Sequence, residues 1–440
     1  MTLIKEEFNM ENVEMKYGSG VISVPVEEDN LLGILEGNPI KIEKTEDEIV
    51  LEALHNPIAS PRLKELVHAG ETVCVVISDI TRAWQRIDRF LGRIIEELNE
   101  GGVKDEDIVI LSAAGSHRYQ TEEEHEKLIG KDLMKRFKVV DHSCHDKDNL
   151  VYLGETSHGT PISINKHALE CDHVVLTGGI VYHFLAGWGG GRKAILPGIS
   201  SYETIMKNHA LSLSDKLGEG KNTEAGSGKL KGNPVHEDML QAVAFVRPTF
   251  LFNTITGGHD GRIIGAVAGN YIEAHLEGCR IVESIDGVNI KEKADLVIGT
   301  AGGYPKDINF YQTIKTILNT REAVKEGGTI IIASQCSEGL GDNEDVRKIL
   351  LNFDTLLDRE KELRREYSIS KDIGYIFCET AQKYDVIFVS ELDPKLVEKA
   401  NITVVKTIEE ALEMTYAKKG KNLKTYVMTH AANTFPKVVK

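Results

Sequence analysis

Apolar residues along this chain follow two periods that alternate with each other. Short runs rich in β-branched residues, Val73–Ile77 (VCVVI), Ile108–Leu111, His173–Leu176, Leu296–Ile298, Thr329–Ile332 and Val386–Val389, read as buried strands. Between them lie longer stretches with apolar residues three and four apart. In one of these, Ile87, Phe90, Leu91, Ile94, Ile95 and Leu98 form a single stripe, the mark of a helix packed on a sheet. Thr121 and Glu124 make a capping-box pair that opens a helix expected to run through Phe137. Ser200 with Glu203 is expected to open another through Leu213. The alternation predicts an α/β fold of βα units with largely parallel sheets.

The pattern pauses around Asn270–Val288 and then starts afresh, which predicts two lobes. The expected boundaries are an N-terminal α/β domain over 1–275 and a C-terminal α/β domain over 276–424. Residues 425–440, with the strand-like Thr425–Met428, are expected to return to the first lobe. The polar, glycine-rich Gly218–Gly232 reads as a mobile loop. In open α/β sheets ligands sit beyond the carboxyl ends of strands. Four polar clusters fall there: Asp79–Arg82, Gly115–His117, Gly178–His183 and Gly302–Lys306. Such clusters in both lobes predict an active-site cleft between them.

Composition removes several function classes. The 440 residues are 41% hydrophobic and 27% charged, a globular balance. With 52 basic and 68 acidic residues the formal charge is −16, which argues against a nucleic-acid partner. No apolar run approaches the ~18 residues that would span a bilayer, so no membrane association is expected. The N-terminal MTLIKEEFNM lacks a signal-peptide core, and six scattered cysteines without a CxxC pair read as reduced thiols. A cytoplasmic location follows as the expectation.

Familiar nucleotide and metal signatures fail. Gly226–Lys229 (GSGK) is followed by Leu230 where a P-loop needs Ser or Thr, and no GxGxxG follows a strand. HExxH is absent too. The unusual segment is Gly178–Ser201, with seven glycines between Gly178 and Gly198, apolar residues between them, and Arg192 and Lys193 as its full-time charges. A surface loop with solvated Arg and Lys is one reading; a backbone that approaches a ligand closely is the other. His209 falls on the apolar stripe of the helix that follows, as a core histidine or a metal ligand. His117 and His183 each follow a strand and a glycine turn, whereas His142 and His145 (DHSCHDKD) read as an exposed turn. In the second lobe Asp307 is a candidate N-cap, and Tyr311, Gln312 and Lys315 share the face of the helix it would open. They suit a carboxylate, or a wet helix face.

Four of these motifs, in order, resemble the nickel-pincer lactate racemase family of 2-hydroxyacid racemases and epimerases. Asp79–Arg82 (DITR) matches its DxTR turn and Gly115–Arg118 (GSHR) its GxHR turn. His183, Lys193 and His209 match its spaced His, Lys and His, and Tyr311–Lys315 (YQTIK) matches its YQxxK motif. The resemblance covers nearly the whole chain. It implies a cofactor, pyridinium-3,5-bisthiocarboxylic acid mononucleotide, that holds nickel through sulfur, carbon and sulfur and is tethered by a thioamide to Lys193. His209 would be the protein's nickel ligand, completing a square plane. Asp79, Ile80, Thr81 and Arg82 would line the cofactor, Arg82 also nearing substrate. His117 and His183 would be the catalytic bases, and Gln312 and Lys315, with Tyr311 beside them, would hold the substrate carboxylate.

The implied reaction inverts C2 of a 2-hydroxy acid by proton-coupled hydride transfer, which avoids placing a second negative charge beside the carboxylate. A base on each side is then needed, and imidazole suits both. The resemblance also implies cofactor-maturation proteins as partners, and a homo-oligomer is compatible with it. In one respect the chain departs from the family. Lactate-acting members are expected to carry a second-lobe tryptophan, whereas the two here are Trp84 and Trp188, and Tyr375 or Phe377 falls in that region. A sugar-acid 2-epimerase with the same chemistry is therefore the first alternative. A non-catalytic two-lobed ligand-binding protein is the second.

Overall fold

Val73–Ser78 is a strand whose first five residues are buried, as befits the middle of a parallel sheet covered on both faces. It pairs in parallel with Ile108–Ala113 on one side and His173–Gly179 on the other. Val139–Asp141 extends the sheet beyond the former, Phe250–Gly257 beyond the latter, and Arg262–Gly269 closes that edge antiparallel. The expected helix spans Ile87–Glu100, and all six residues of its stripe are buried. Phe90 meets Phe252 of the sheet with ring centroids 4.9 Å apart, at the centre of this unit's core. The unit comprises residues 40–213 and 222–284; the computed structural model describes residues 10–258 and 260–439 of the chain.

The second unit comprises residues 10–39, 214–221 and 285–439. Its six-stranded sheet is parallel throughout, in the order Ile402–Val405, Asp385–Val389, Val324–Ala333, Ala294–Thr300, Thr425–Met428, Leu31–Ile34. An antiparallel hairpin, Met10–Tyr17 with Gly20–Glu27, lays Val13, Met15, Val24 and Val26 onto the core beneath it. Among the described residues no helix is long and apolar enough to cross a membrane.

The domain boundaries differ from those expected. Thr425–Met428 does not return to the first lobe, because it inserts between Ala294–Thr300 and Leu31–Ile34. That pairing also draws residues 10–39 into the second unit. The expected mobile loop begins inside the same unit: the Gly218 amide donates to Glu360, the Lys221 amide to Glu379, and the Lys221 ammonium to buried Asp372 at 2.6 Å. Two helix ends differ as well. The Thr121 capping box forms, but Gly130 at φ +84° breaks the helix after Ile129, and Lys131–Arg136 is separate. Ser201, not Ser200, caps the next, which spans Tyr202–Ala210.

Candidate active site

The Asp79–Arg82 turn leaves the central strand of the first unit as a 3₁₀ turn over Ile80–Gln85. Asp79 is 3% exposed, and each of its carboxylate oxygens is engaged. The Thr81 hydroxyl donates to Oδ1 at 2.6 Å, and His117 Nδ1 lies 2.5 Å from Oδ2. Burial alone would raise this carboxyl, but the bonds from His117 and Thr81, with the charge of Arg82, hold it below its ordinary range. A carboxylate only accepts, so His117 Nδ1 carries the proton and Nε2 the lone pair. Arg82 Nη1 donates to the Thr81 hydroxyl at 3.1 Å, which ties the guanidinium to the same cluster. Ile80 is fixed by a residue that the sequence reading missed. Its amide donates to Gln120 Oε1 at 2.6 Å, and Gln120 Nε2 donates to Asp141 at 2.9 Å. Gln120 lies three residues past His117, the signal that could have marked it.

His183 ends a two-residue strand paired with Gly187–Trp188. The Leu185 and Ala186 amides both donate to its Nδ1 at 3.2 Å, so in the neutral ring Nε2 bears the proton. That nitrogen stands 3.3 Å from Lys193 Nζ. Lys193 is half-buried, and desolvation, with Arg192 and Arg82 nearby, lowers its ammonium to about 7. About half of the amine is then neutral at pH 7, and that form can accept from His183 Nε2 and act as a nucleophile. The Gly191–Ala194 turn that carries it needs its glycines. Gly190 and Gly191 have φ of +69° and +56°, and a Cβ at Gly191 would stand 2.7 Å from the His275 ring. Arg192 is not the solvated cation of a surface loop: it is 1% exposed.

His209, on the Tyr202–Ala210 helix, is 3% exposed. Its Nδ1 donates to the Ile205 carbonyl at 2.8 Å, which leaves the lone pair on Nε2, the form a metal takes. Among the described residues no group of three or more His, Cys, Asp or Glu could hold a metal ion. A nickel ion here would thus need most of its donors from an organic group, and Lys193 and His209 offer the amine and imidazole that such a group requires. His142 departs from the exposed turn expected of it. It is 1% exposed, bonded to the Ser200 carbonyl and to Asn165, while His145 is exposed.

In the second unit Tyr311 and Gln312 lie in a 3₁₀ turn that leads into the helix Ile314–Ala323, where Lys315 is exposed. Asp307 is not their N-cap; it is buried and accepts from the Gly18 amide at 2.7 Å, while Asn309 accepts from the Gln312 amide. Asp286, which the sequence reading also missed, is raised to about 6 by burial, opposed by Lys306 and Lys315. Tyr375 and Phe377 both belong to the core, the Phe377 ring tilted against Phe310 with centroids 4.0 Å apart. Trp188 is buried against Tyr182.

Residues 17–220 match the family model of the lactate racemase N-terminal domain, and residues 289–434 that of the lactate racemase C-terminal domain. The chain belongs to the lactate racemase family. It is 36% identical over 335 residues to a lactate racemase of Thermoanaerobacterium thermosaccharolyticum, covering 76% of each chain. To the lactate racemase of Lactiplantibacillus plantarum it is 33% identical over 424 residues, 94% of this chain and 97% of that one. The lactate racemase apoprotein structure from T. thermosaccharolyticum superposes with a TM-score of 0.87 at 31% identity, over 97% of this chain and all of that one. A Thermotoga maritima protein, at 16% identity and a TM-score of 0.63 over 91% of this chain and all of that one, shares the fold. Membership in the lactate racemase family makes this chain an enzyme of the racemase class, within the isomerases.

Proposed function

We propose that this lactate racemase family member inverts C2 of a small 2-hydroxy acid, lactate or a close relative, in the cytoplasm. The cofactor assigned to it is the nickel-pincer pyridinium nucleotide, tethered at Lys193, with His209 on the metal. When bound, that group supplies a carbon that takes up and returns hydride at the substrate's C2. Everything else falls to the chain itself. The observation that carries the reading is the placement of two strand-end histidines: Asp79 holds His117 through Nδ1 and leaves Nε2 to meet a proton, and His183 turns its Nε2 to Lys193, the tether, at 3.3 Å. Each imidazole would act as base in its neutral form and as acid once it is an imidazolium: one takes the substrate hydroxyl proton while the other, already protonated, returns one, so a turnover in either direction exchanges the neutral ring and the imidazolium. Asp79 supports the imidazolium that forms on His117. Arg82, with Gln312 and Lys315 of the second unit, is assigned the substrate carboxylate, and Tyr311 is placed beside them, a positioning role that bidentate and point charges share.

Cofactor-loaded protein incubated with L- or D-lactate should give the racemate, and its intact mass should place one adduct on Lys193. An unmodified Lys193 in active material would overturn the tether. A sugar-acid substrate is the second reading, favoured because neither Tyr375 nor Phe377 replaces the missing second-unit tryptophan on an accessible surface. Exchange at C2 of D-gluconate, without exchange of lactate, would select it.

A further inference from the structure

The strands that end at Ser78 and Ala113 pair to their last residues, and the turns that follow carry Asp79 and His117. Beyond the ladder each turn closes on itself: the Arg82 amide donates to the Asp79 carbonyl, and the His117 amide to the Ala114 carbonyl, both at 2.9 Å. Among the described residues no backbone hydrogen bond joins residues 79–82 to residues 114–120. Among the same residues, and apart from the contacts of His117 itself, the two turns are joined through the side chain of Gln120, whose Oε1 accepts the Ile80 amide at 2.6 Å. That side chain has a single workable orientation. Its Nε2 hydrogens go to Asp141 Oδ1 at 2.9 Å and to Ser112 Oγ, and a flipped amide would set N–H against N–H and carbonyl against carboxylate. Asp141 is itself fixed. It ends the strand Val139–Asp141, beside Ser112 of the next strand. Its Oδ2 accepts the Gln120 amide at 3.0 Å, and its Oδ1 lies 2.9 Å from His125 Nε2. His125 belongs to the helix Glu122–Ile129, and the His125 and Asp141 side chains are only 12% and 11% exposed.

We propose that Gln120, oriented by Asp141, is a positioning residue for the reaction: it holds the Ile80 amide, and with it the neighbouring Asp79, where Oδ2 meets His117 Nδ1. The contacts close a ring, from Asp79 to Ile80, across to Gln120, back along three residues to His117, and through the imidazole to Asp79. A ring so small has little slack, so releasing Gln120 lets the two turns part and the 2.5 Å contact lengthen. The consequence is chemical as well as structural, because that contact fixes which ring nitrogen of His117 carries the proton. Misplacing an acid–base group by about 1 Å costs on the order of 100-fold in rate. The inference deepens the assignment of His117 as a base and rests on it.

Two measurements on the full chain test it. In cofactor-free protein with isotope-labelled histidine at pH 8, two-bond nitrogen–proton correlation spectra should show His117 protonated at Nδ1, its signals identified by their absence in His117→Gln. Gln120→Met keeps the length of the side chain and removes its amide. There the Nδ1–H form should give way to the mixture of tautomers that a free imidazole shows. In cofactor-loaded protein the same substitution should lower kcat for L-lactate by about 10- to 100-fold, with KM within about twofold and the Lys193 adduct retained. Because Gln120→Met can also loosen the fold, the pair is then reversed. Gln120→Glu alone sets two carboxylates together and should be at least as damaging. Combined with Asp141→Asn it restores a donor opposite an acceptor, and both the tautomer and most of the rate should return. A wild-type tautomer or a wild-type kcat in folded Gln120→Met, or a double variant no better than its parents, overturns the assignment. Should the loaded wild-type chain leave both lactate and D-gluconate unchanged, the functional reading fails instead, and the tautomer alone decides on Gln120.

Discussion

Asp79 and His117 meet through one short contact, Oδ2 to Nδ1 at 2.5 Å, although 38 residues separate them in sequence. Adjacent parallel strands bring them together, since Asp79 follows Val73–Ser78 and His117 follows Ile108–Ala113. The contact sets the tautomer and places an anion against the imidazolium that proton uptake would create. Asp79→Asn keeps the shape and removes the charge. It should lower racemisation by about 100- to 10,000-fold, the range for a positioned acid–base group, with the Lys193 adduct intact by mass. A wild-type rate in the folded, adduct-bearing variant would assign Asp79 a purely architectural part.

Lys193 should react as a neutral amine. An ammonium lowered to about 7 is mostly deprotonated at pH 8, while exposed lysines titrate near 10. Pulse labelling of cofactor-free protein with an acylating reagent should modify Lys193 first, at a rate that levels off above pH 8. The linkage has a definite sign. The folded-state value lies below the unfolded one, so the fold carries its penalty in full below about 7 and sheds it as pH rises toward the unfolded value. Lys193→Met should therefore stabilise the protein at pH 6 and have little such effect at pH 10.5. One unit of depression alone corresponds to about 1.4 kcal/mol, and equal Tm gains at both pH values would contradict the assignment.

What the sequence made legible was whatever rests on local periodicity. The stripe from Ile87 to Leu98 is buried as read, and the Thr121–Glu124 box forms, because both depend on residues three or four apart. The strand-end motifs were legible for a related reason, since a parallel sheet puts consecutive strand ends on one edge. Long-range pairing was not. Nothing near Leu31–Ile34 tells that it will sit beside Thr425–Met428. The burial of His142 depends on Asn165 and on the Ser200 carbonyl, 58 residues away, and the charged residues around it pointed the other way. Asp307 looked like a cap because it precedes a helix, but Gly18, 289 residues distant, claims its carboxylate.

Asp286 supplies a prediction in the second unit. Burial raises its carboxyl to about 6, above the unfolded value, with Lys306 and Lys315 resisting. A raised acid favours the fold below the unfolded value and loses that contribution as pH climbs through about 6. Asp286→Asn should thus raise Tm at pH 8 more than at pH 4, as denaturation followed by circular dichroism would report. It also removes an anion near Lys315 at neutral pH. A lower KM for a 2-hydroxy acid with little change in kcat is expected if that lysine meets the substrate carboxylate; unchanged KM would separate Lys315 from binding.

Gly191 tests whether the Lys193 turn is held by backbone geometry. Its φ of +56° is costly for a side chain, and an added methyl would press on His275 at 2.7 Å. The Gly191 amide also donates to Asn253 Oδ1 at 2.8 Å, so the backbone cannot shift without losing that buried bond. Gly191→Ala should cost about 1–3 kcal/mol, combining left-handed strain with the clash. The larger consequence is local, because moving residue 191 displaces Lys193 from His183. Acylation of Lys193 should slow relative to exposed lysines in the same sample, and the plateau in its labelling profile should shift toward higher pH. A variant that loses stability yet keeps the wild-type labelling profile would show that the Lys193 environment is set by the surrounding side chains instead of the turn.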